Sequence, residues 1–135
     1  MDIGSGGGSP AIPLKVAAPW IELVMVEVKA RKAAFLRDVV RQLGFSGTTV
    51  ANERVEDYAS RPSRAGSADV ISIRAVRADA DLWQVVSLLL KPQGRVLWFG
   101  GHADSKAYEV WSLKLVSSES LPGAGTLAVL ERQLV

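Results

Sequence analysis

The sequence predicts an α/β fold: a doubly wound sheet, mostly parallel, closing in an antiparallel hairpin. Three observations carry that reading. The chain opens on Asp2-Ile3-Gly4-Ser5-Gly6-Gly7-Gly8-Ser9-Pro10, which reads as a strand end, a glycine turn and a helix start. Strand and helix patterns then alternate as far as Gly100-Gly101. Beyond that, Val110 to Ser118 and Thr126 to Gln133 are two strand patterns in succession, joined by a turn with Pro122, Gly123 and Gly125.

Each element has its own justification. Trp20 to Val26 is a near-continuous apolar run, the mark of a strand covered on both faces. Between Lys29 and Leu43, apolar Phe35, Leu36, Val39, Val40 and Leu43 share one side of a helix, and Gly44 ends it. Thr48 to Ala51 is a short strand, and Ser60 to Ser67, with Pro62 and Gly66, a loop. Asp69 to Val76 alternates as a strand does. Asp79 caps a helix running to Leu90, which Lys91-Pro92-Gln93-Gly94 terminates. Arg95 to Phe99 is the next strand, and Ala103 to Glu109 a short helix. Trp20, Trp83, Trp98 and Trp111 are expected to pack in the core or on a sheet face.

The 135 residues fit one domain, 1–135. With 48% hydrophobic and 22% charged residues, the chain can fill a core. It has no cysteine, so no disulfide and no cysteine metal site, which accords with a reducing, cytoplasmic setting. One histidine, His102, makes a zinc site a poor expectation, and no metal is expected. The net charge of +2 permits an anionic partner without demanding one. The longest apolar patch, Leu82 to Leu90, is interrupted by Gln84 and Ser87 and is too short for the roughly 20 residues of a membrane span.

The glycine stretch alone reads equally well as a flexible linker. What separates the two is Glu27, at the end of an apolar run about twenty residues after the loop, where a carboxylate reaches ribose hydroxyls in nucleotide-binding βαβ units. The loop lacks the Gly-Lys-Ser/Thr of a phosphate loop, and Ser9 stands where a dinucleotide motif needs glycine. A nucleoside without a pyrophosphate is left, and S-adenosylmethionine is the common one. Only Met1 precedes Asp2-Ile3, so the first strand is expected to be largely missing and the domain incomplete at its N-terminus. Losing about four buried apolar residues there forfeits roughly 6–12 kcal/mol, so low stability is expected.

A longer series is more specific than the loop. Asp2 to Gly8, Pro10 with Ile12-Pro13-Leu14, Val26-Glu27, Arg31 to Arg37, Arg54-Val55-Glu56, Ser72 to Val76 and Leu90-Lys91-Pro92 with Gly94-Arg95 occur in that order. This resembles the glucose-inhibited division protein B family, whose members methylate N7 of a guanine in small-subunit ribosomal RNA. The resemblance covers most of the chain, though the family's N-terminal helical segment has no counterpart. It implies a Rossmann-like, class I S-adenosylmethionine-dependent methyltransferase. It also implies cofactor contacts from Gly4, Ser9, Val55, Glu56 and Arg74, with Arg74 tied to catalysis. Gly6 and Glu27 fit the general methyltransferase pattern, and Val55 and Glu56 would flank the adenine. The chain departs from the family at Ser9, usually Phe or Leu, at Gly100, in a lysine's place, and at Gly125-Thr126-Leu127.

Candidates to hold a splayed-out base are Arg54, Arg61, Arg64, Arg74 and Arg77, with Lys29, Arg31 and Lys32. Arg61 and Arg64 read better as solvated surface, and Arg54 and Arg77 are the RNA-binding choices. His102 reads better as an exposed loop residue than as a crevice residue. Clustered Glu53, Glu56 and Asp57 do not by themselves make an acid–base pair. Two other readings remain: a remnant that binds cofactor or RNA without catalysis, and a nicotinamide-dependent oxidoreductase.

Overall fold

The structure is a computed structural model and describes residues 1–101 and 106–134. Its elements run β1 (Asp2–Ile3), α1 (Ala11–Ala17), β2 (Leu23–Val26), α2 (Ala30–Gln42), β3 (Thr48–Ala51), α3 (Val55–Ala59), β4 (Ala68–Arg74), α4 (Ala80–Leu89), β5 (Leu90–Phe99), β6 (Leu113–Leu121) and β7 (Gly125–Arg132). Among the described residues the sheet has seven strands in the order β3-β2-β1-β4-β5-β7-β6. The first five are parallel, and β7 is antiparallel to both β5 and β6. The winding reverses between β1 and β4, so the carboxyl ends of those strands flank the crevice where open α/β sheets take ligands.

Strand alternation divides the core in two. Met25 and Leu23 face α1 and α2 and pack with Ala11 and Leu36. One residue on, Val26 faces the opposite layer, with Ile3 and Ile73 beside it in register. That layer holds Tyr58 of α3 and Leu82, Trp83, Val86 and Leu89 of α4. Trp83, Trp98 and Tyr108 meet edge to face there, their ring centres 4.9–6.4 Å apart.

Local chemistry explains most boundaries. Gly44 takes a φ of 63° after α2 and donates its N–H to Arg41 O, ending the helix. Asp79 Oδ1 accepts the Leu82 N–H at 3.0 Å and starts α4. Lys15, buried in the last turn of α1, donates from Nζ to Pro19 O and Ile21 O and closes the turn into β2.

The structure departs from the expectations at four places. Trp20 lies on that turn and is 80% exposed, so the apolar run starts before the strand does, and of the four tryptophans this one does not pack. Lys91–Gly94 does not separate α4 from a later strand. Instead β5 begins at Leu90, and the segment bulges from the ladder between the Ala68–Leu90 and Val70–Arg95 pairs. The five-residue α3 has no side-chain cap and left no periodic trace. Of Ala103 to Glu109, read as a short helix, residues 103–105 lie outside the described residues, and 106–109 form a turn that enters a 3₁₀ helix, Glu109–Trp111, instead.

Candidate functional site

The glycine loop is tied down by its own backbone. The N–H groups of Gly4 and Ser5 both donate to Val26 O, at 2.9 and 3.3 Å, and Gly8 N–H donates to Ser5 O at 2.7 Å. The loop thus hangs from the end of β2, and among the described residues the N–H groups of Gly6, Gly7 and Ser9 make no backbone bond. Gly4 has a φ of 68°, and a Cβ there would lie 2.7 Å from Val76 Cγ2. Its contribution is therefore space and conformation, since its N–H is already committed.

Beside the loop, at the carboxyl ends of the strands, is a crevice of about 170 Å³. Ile3, Val26, Val55 and Val76 give it an apolar lining, and Glu27, Arg54 and Glu56 give it charge. Pockets that enclose a whole small molecule measure roughly 300–1,000 Å³, so a ligand seated here would extend out along the loop.

Glu27 is fixed by its main chain. Its N–H donates to Ala51 O at 2.9 Å, and its carbonyl accepts from Asn52 Nδ2 at 2.9 Å. The residue is only 5% exposed, and its carboxylate has no hydrogen-bond partner among the described residues. Its oxygens lie at the crevice, where hydroxyl or N–H donors can reach them.

Asp2 is 1% exposed. It accepts from Ser72 Oγ at 2.5 Å through Oδ1, while Oδ2 has no partner. Burial raises its pKa above the usual carboxylate range, the bonds from Ser5 and Ser72 oppose this, and nearby Glu27 adds to the rise.

The end of β4 completes the site. Arg74 is exposed, and its Nη1 donates to Ser9 Oγ at 2.8 Å, joining two residues 65 apart in sequence. Ala75 follows in the left-handed region, with a φ of 53°, and Val76 then reaches the crevice. That conformation is costly for alanine and collects at functional turns.

The structure brings Gly4, Glu27, Arg54, Val55 and Glu56 to one crevice. Gly6 is on the loop but not in the lining, and Ser9 and Arg74 pair beside it. Arg54 lies 3.5 Å from Glu56 and Arg77 3.7 Å from Asp79, both as exposed ion pairs. Glu53 is gripped by Arg61 at 2.6 and 2.8 Å, and Arg64 stacks 4.8 Å from the Tyr58 ring centre, so neither arginine is simply solvated. His102 lies outside the described residues. The sequence does not single out Ala75 and Val76 as site residues, because nothing marks an alanine for positive φ.

Solved structures of low identity share this architecture. A SAM-dependent methyltransferase from Aquifex aeolicus superposes with a TM-score of 0.76 at 12% identity, over 97% of this chain and 80% of its own. The cyclase SpnF superposes at 0.79 with 11% identity, over 99% and 74%. These likenesses establish a methyltransferase-type fold, which also houses other chemistry. The sequence is more specific, because residues 1–124 match the family described as rRNA small subunit methyltransferase G, GidB. The chain belongs to that family.

Curated relatives named ribosomal RNA small subunit methyltransferase G include one from Stenotrophomonas maltophilia, 35% identical over 90% of this chain and 58% of its own length. Another, from Acidothermus cellulolyticus, is 40% identical over 75% and 43%. The chain thus spans about half the length of the curated relatives it matches.

Proposed function

We propose that this chain binds S-adenosylmethionine in the crevice beside the glycine loop and serves methylation of guanine N7 in small-subunit ribosomal RNA. The observation that carries the reading is the nearly buried, unpartnered carboxylate of Glu27 facing a crevice built from Gly4, Val55 and Glu56, in a member of this family. The residues fit the cofactor. Glu27 would accept from the ribose hydroxyls, Val55 and Val76 would pack on the adenine, and the free N–H groups of Gly6 and Gly7 would meet the amino-acid end. When bound, S-adenosylmethionine supplies a methyl group on a positively charged sulfur that is already a good leaving group.

The protein then has little chemistry to do. Guanine N7 presents a lone pair and no proton, so no general base is needed. One positive charge passes from sulfur to the purine, and the task is to hold the reactants in line, which can supply roughly 7–11 kcal/mol. Arg74, fixed by Ser9 at the crevice edge, is placed to position the base, and exposed Arg54 and Arg77 to contact phosphates. These roles belong in the cytoplasm, with the ribosomal substrate. Among the described residues no helix is long and apolar enough to cross a membrane.

Transfer of labelled methyl from the cofactor to small-subunit RNA tests the reading, with release of N7-methylguanine on digestion as the expected result. Cofactor binding without transfer would favour the reading as a non-catalytic binder, which Gly100 in the place of the family's usual lysine supports. Binding of NAD alone would remove both.

A further inference from the structure

We propose that Asn52 is a positioning residue for the crevice. Its carboxamide sets the spacing between the carboxylate that takes the ribose and the wall that takes the adenine. The inference rests on the proposed seating of S-adenosylmethionine in that crevice.

Two connections supply most of the lining. The one that follows β2 brings Glu27 and Val28, and the one that follows β3 brings Glu53 and Arg54 and runs into Val55 and Glu56 of α3. Asn52 is not itself in the lining; it is the first residue after β3, which ends at Ala51. From there its Nδ2 donates to Glu27 O at 2.9 Å and to Val28 O at 3.1 Å, across 25 and 24 positions of sequence. An amide nitrogen carries two hydrogens, so both are engaged. Two carbonyls as partners also fix which end of the amide meets them.

The parallel ladder shows what this side chain replaces. Val26 pairs with Ala51, and Glu27 N–H donates to Ala51 O at 2.9 Å. One step further, the pattern would bring Glu53 N–H to Glu27 O. Glu53 N–H makes no such bond among the described residues, and the Asn52 side chain takes that carbonyl instead. The main chain leaves the sheet at Glu53 and turns into α3, yet the two connections stay tied. Among the described residues no other side chain bonds one connection to the other. The helices they lead into begin at Lys29 and Arg54 without a side-chain cap. Past the last ladder bond, Asn52 therefore holds Glu27 in place against Val55 and Glu56.

Such a spacing matters only to a ligand that touches both sides. Adenine and ribose are joined directly, so the carboxylate and the adenine wall must stand at one separation to engage both. A ligand without the ribose hydroxyls meets the wall alone and is indifferent to that separation.

Titration calorimetry on the 135-residue chain tests this, with S-adenosylmethionine and its 2′,3′-dideoxy counterpart. Asn52→Ala removes both donors, and Asn52→Leu removes them at nearly constant size. Each should weaken S-adenosylmethionine binding by roughly three- to tenfold, the worth of an ordinary hydrogen bond. Affinity for the dideoxy ligand should stay within about twofold, and in a Glu27→Ala background Asn52→Ala should cost nothing further. Unchanged S-adenosylmethionine affinity in both variants, an equal loss with both ligands, or the same loss repeated without Glu27 would overturn the proposal. If the unsubstituted chain does not bind S-adenosylmethionine, or if Glu27→Ala leaves that binding intact, the reading of the crevice itself fails and this proposal falls with it.

Discussion

At the scale of single residues, the site sets two carboxylates with different tasks close together. Glu27 is held by its main chain, and its carboxylate makes no hydrogen bond among the described residues. Glu27→Ala should weaken S-adenosylmethionine binding by roughly 1.5–3 kcal/mol in calorimetry, the scale of a hydrogen bond to a charged group, while the melting temperature barely moves. Asp2 instead carries an ionisation cost. Its folded pKa lies above the unfolded value of 3.8, so its contribution is fully present below that pH and is lost as pH rises through the raised value. Asp2→Asn keeps an acceptor for Ser72 and removes the buried charge. It should therefore raise the melting temperature at neutral pH, and the gain should vanish near pH 3. A uniform loss at every pH would contradict this account. Glu27 was legible in the sequence from its distance to the loop. The burden on Asp2 was not, because it arises from burial within the assembled sheet, which the bond from Ser72, 70 residues away, only partly offsets.

At the scale of elements, a helix is readable when it has a cap and a period, and α4 has both. Asp79→Ala should cost about 1 kcal/mol in a denaturant melt, the usual worth of an N-cap. The strands β4, β6 and β7 were legible for the same kind of reason, since alternation marks the first and a glycine-proline turn joins the other two. Two of the departures have plain physical causes. The Trp20 to Val26 run is apolar throughout, yet Lys15 fixes Pro19 O and Ile21 O and so holds the first part of the run in a turn. The helix α3 is too short to show a period, and it is this helix that carries Val55 and Glu56 to the crevice. The resemblance to a family found those two residues where pattern could not.

At the scale of the whole molecule, the parallel sheet with its closing hairpin follows from the order of patterns, and the strand order 3-2-1-4-5-7-6 places the glycine loop at the reversal. Charge is distributed accordingly. Arg54 and Arg77 sit on exposed ion pairs that contribute little to stability, so they can exchange a carboxylate for a phosphate. Replacing both with alanine should leave the melt unchanged. It should weaken RNA binding at low salt and flatten its salt dependence by roughly 0.7 for each phosphate no longer neutralised. An unchanged salt slope would place the RNA elsewhere on the surface.

The most direct test of the central claim is a titration of the chain with S-adenosylmethionine, followed by backbone amide shifts. The account predicts saturable changes concentrated at Gly4, Gly6, Val26, Val55 and Val76, abolished at the same concentrations by Glu27→Ala. Changes clustered away from that crevice, or produced by NAD and not by S-adenosylmethionine, would contradict it.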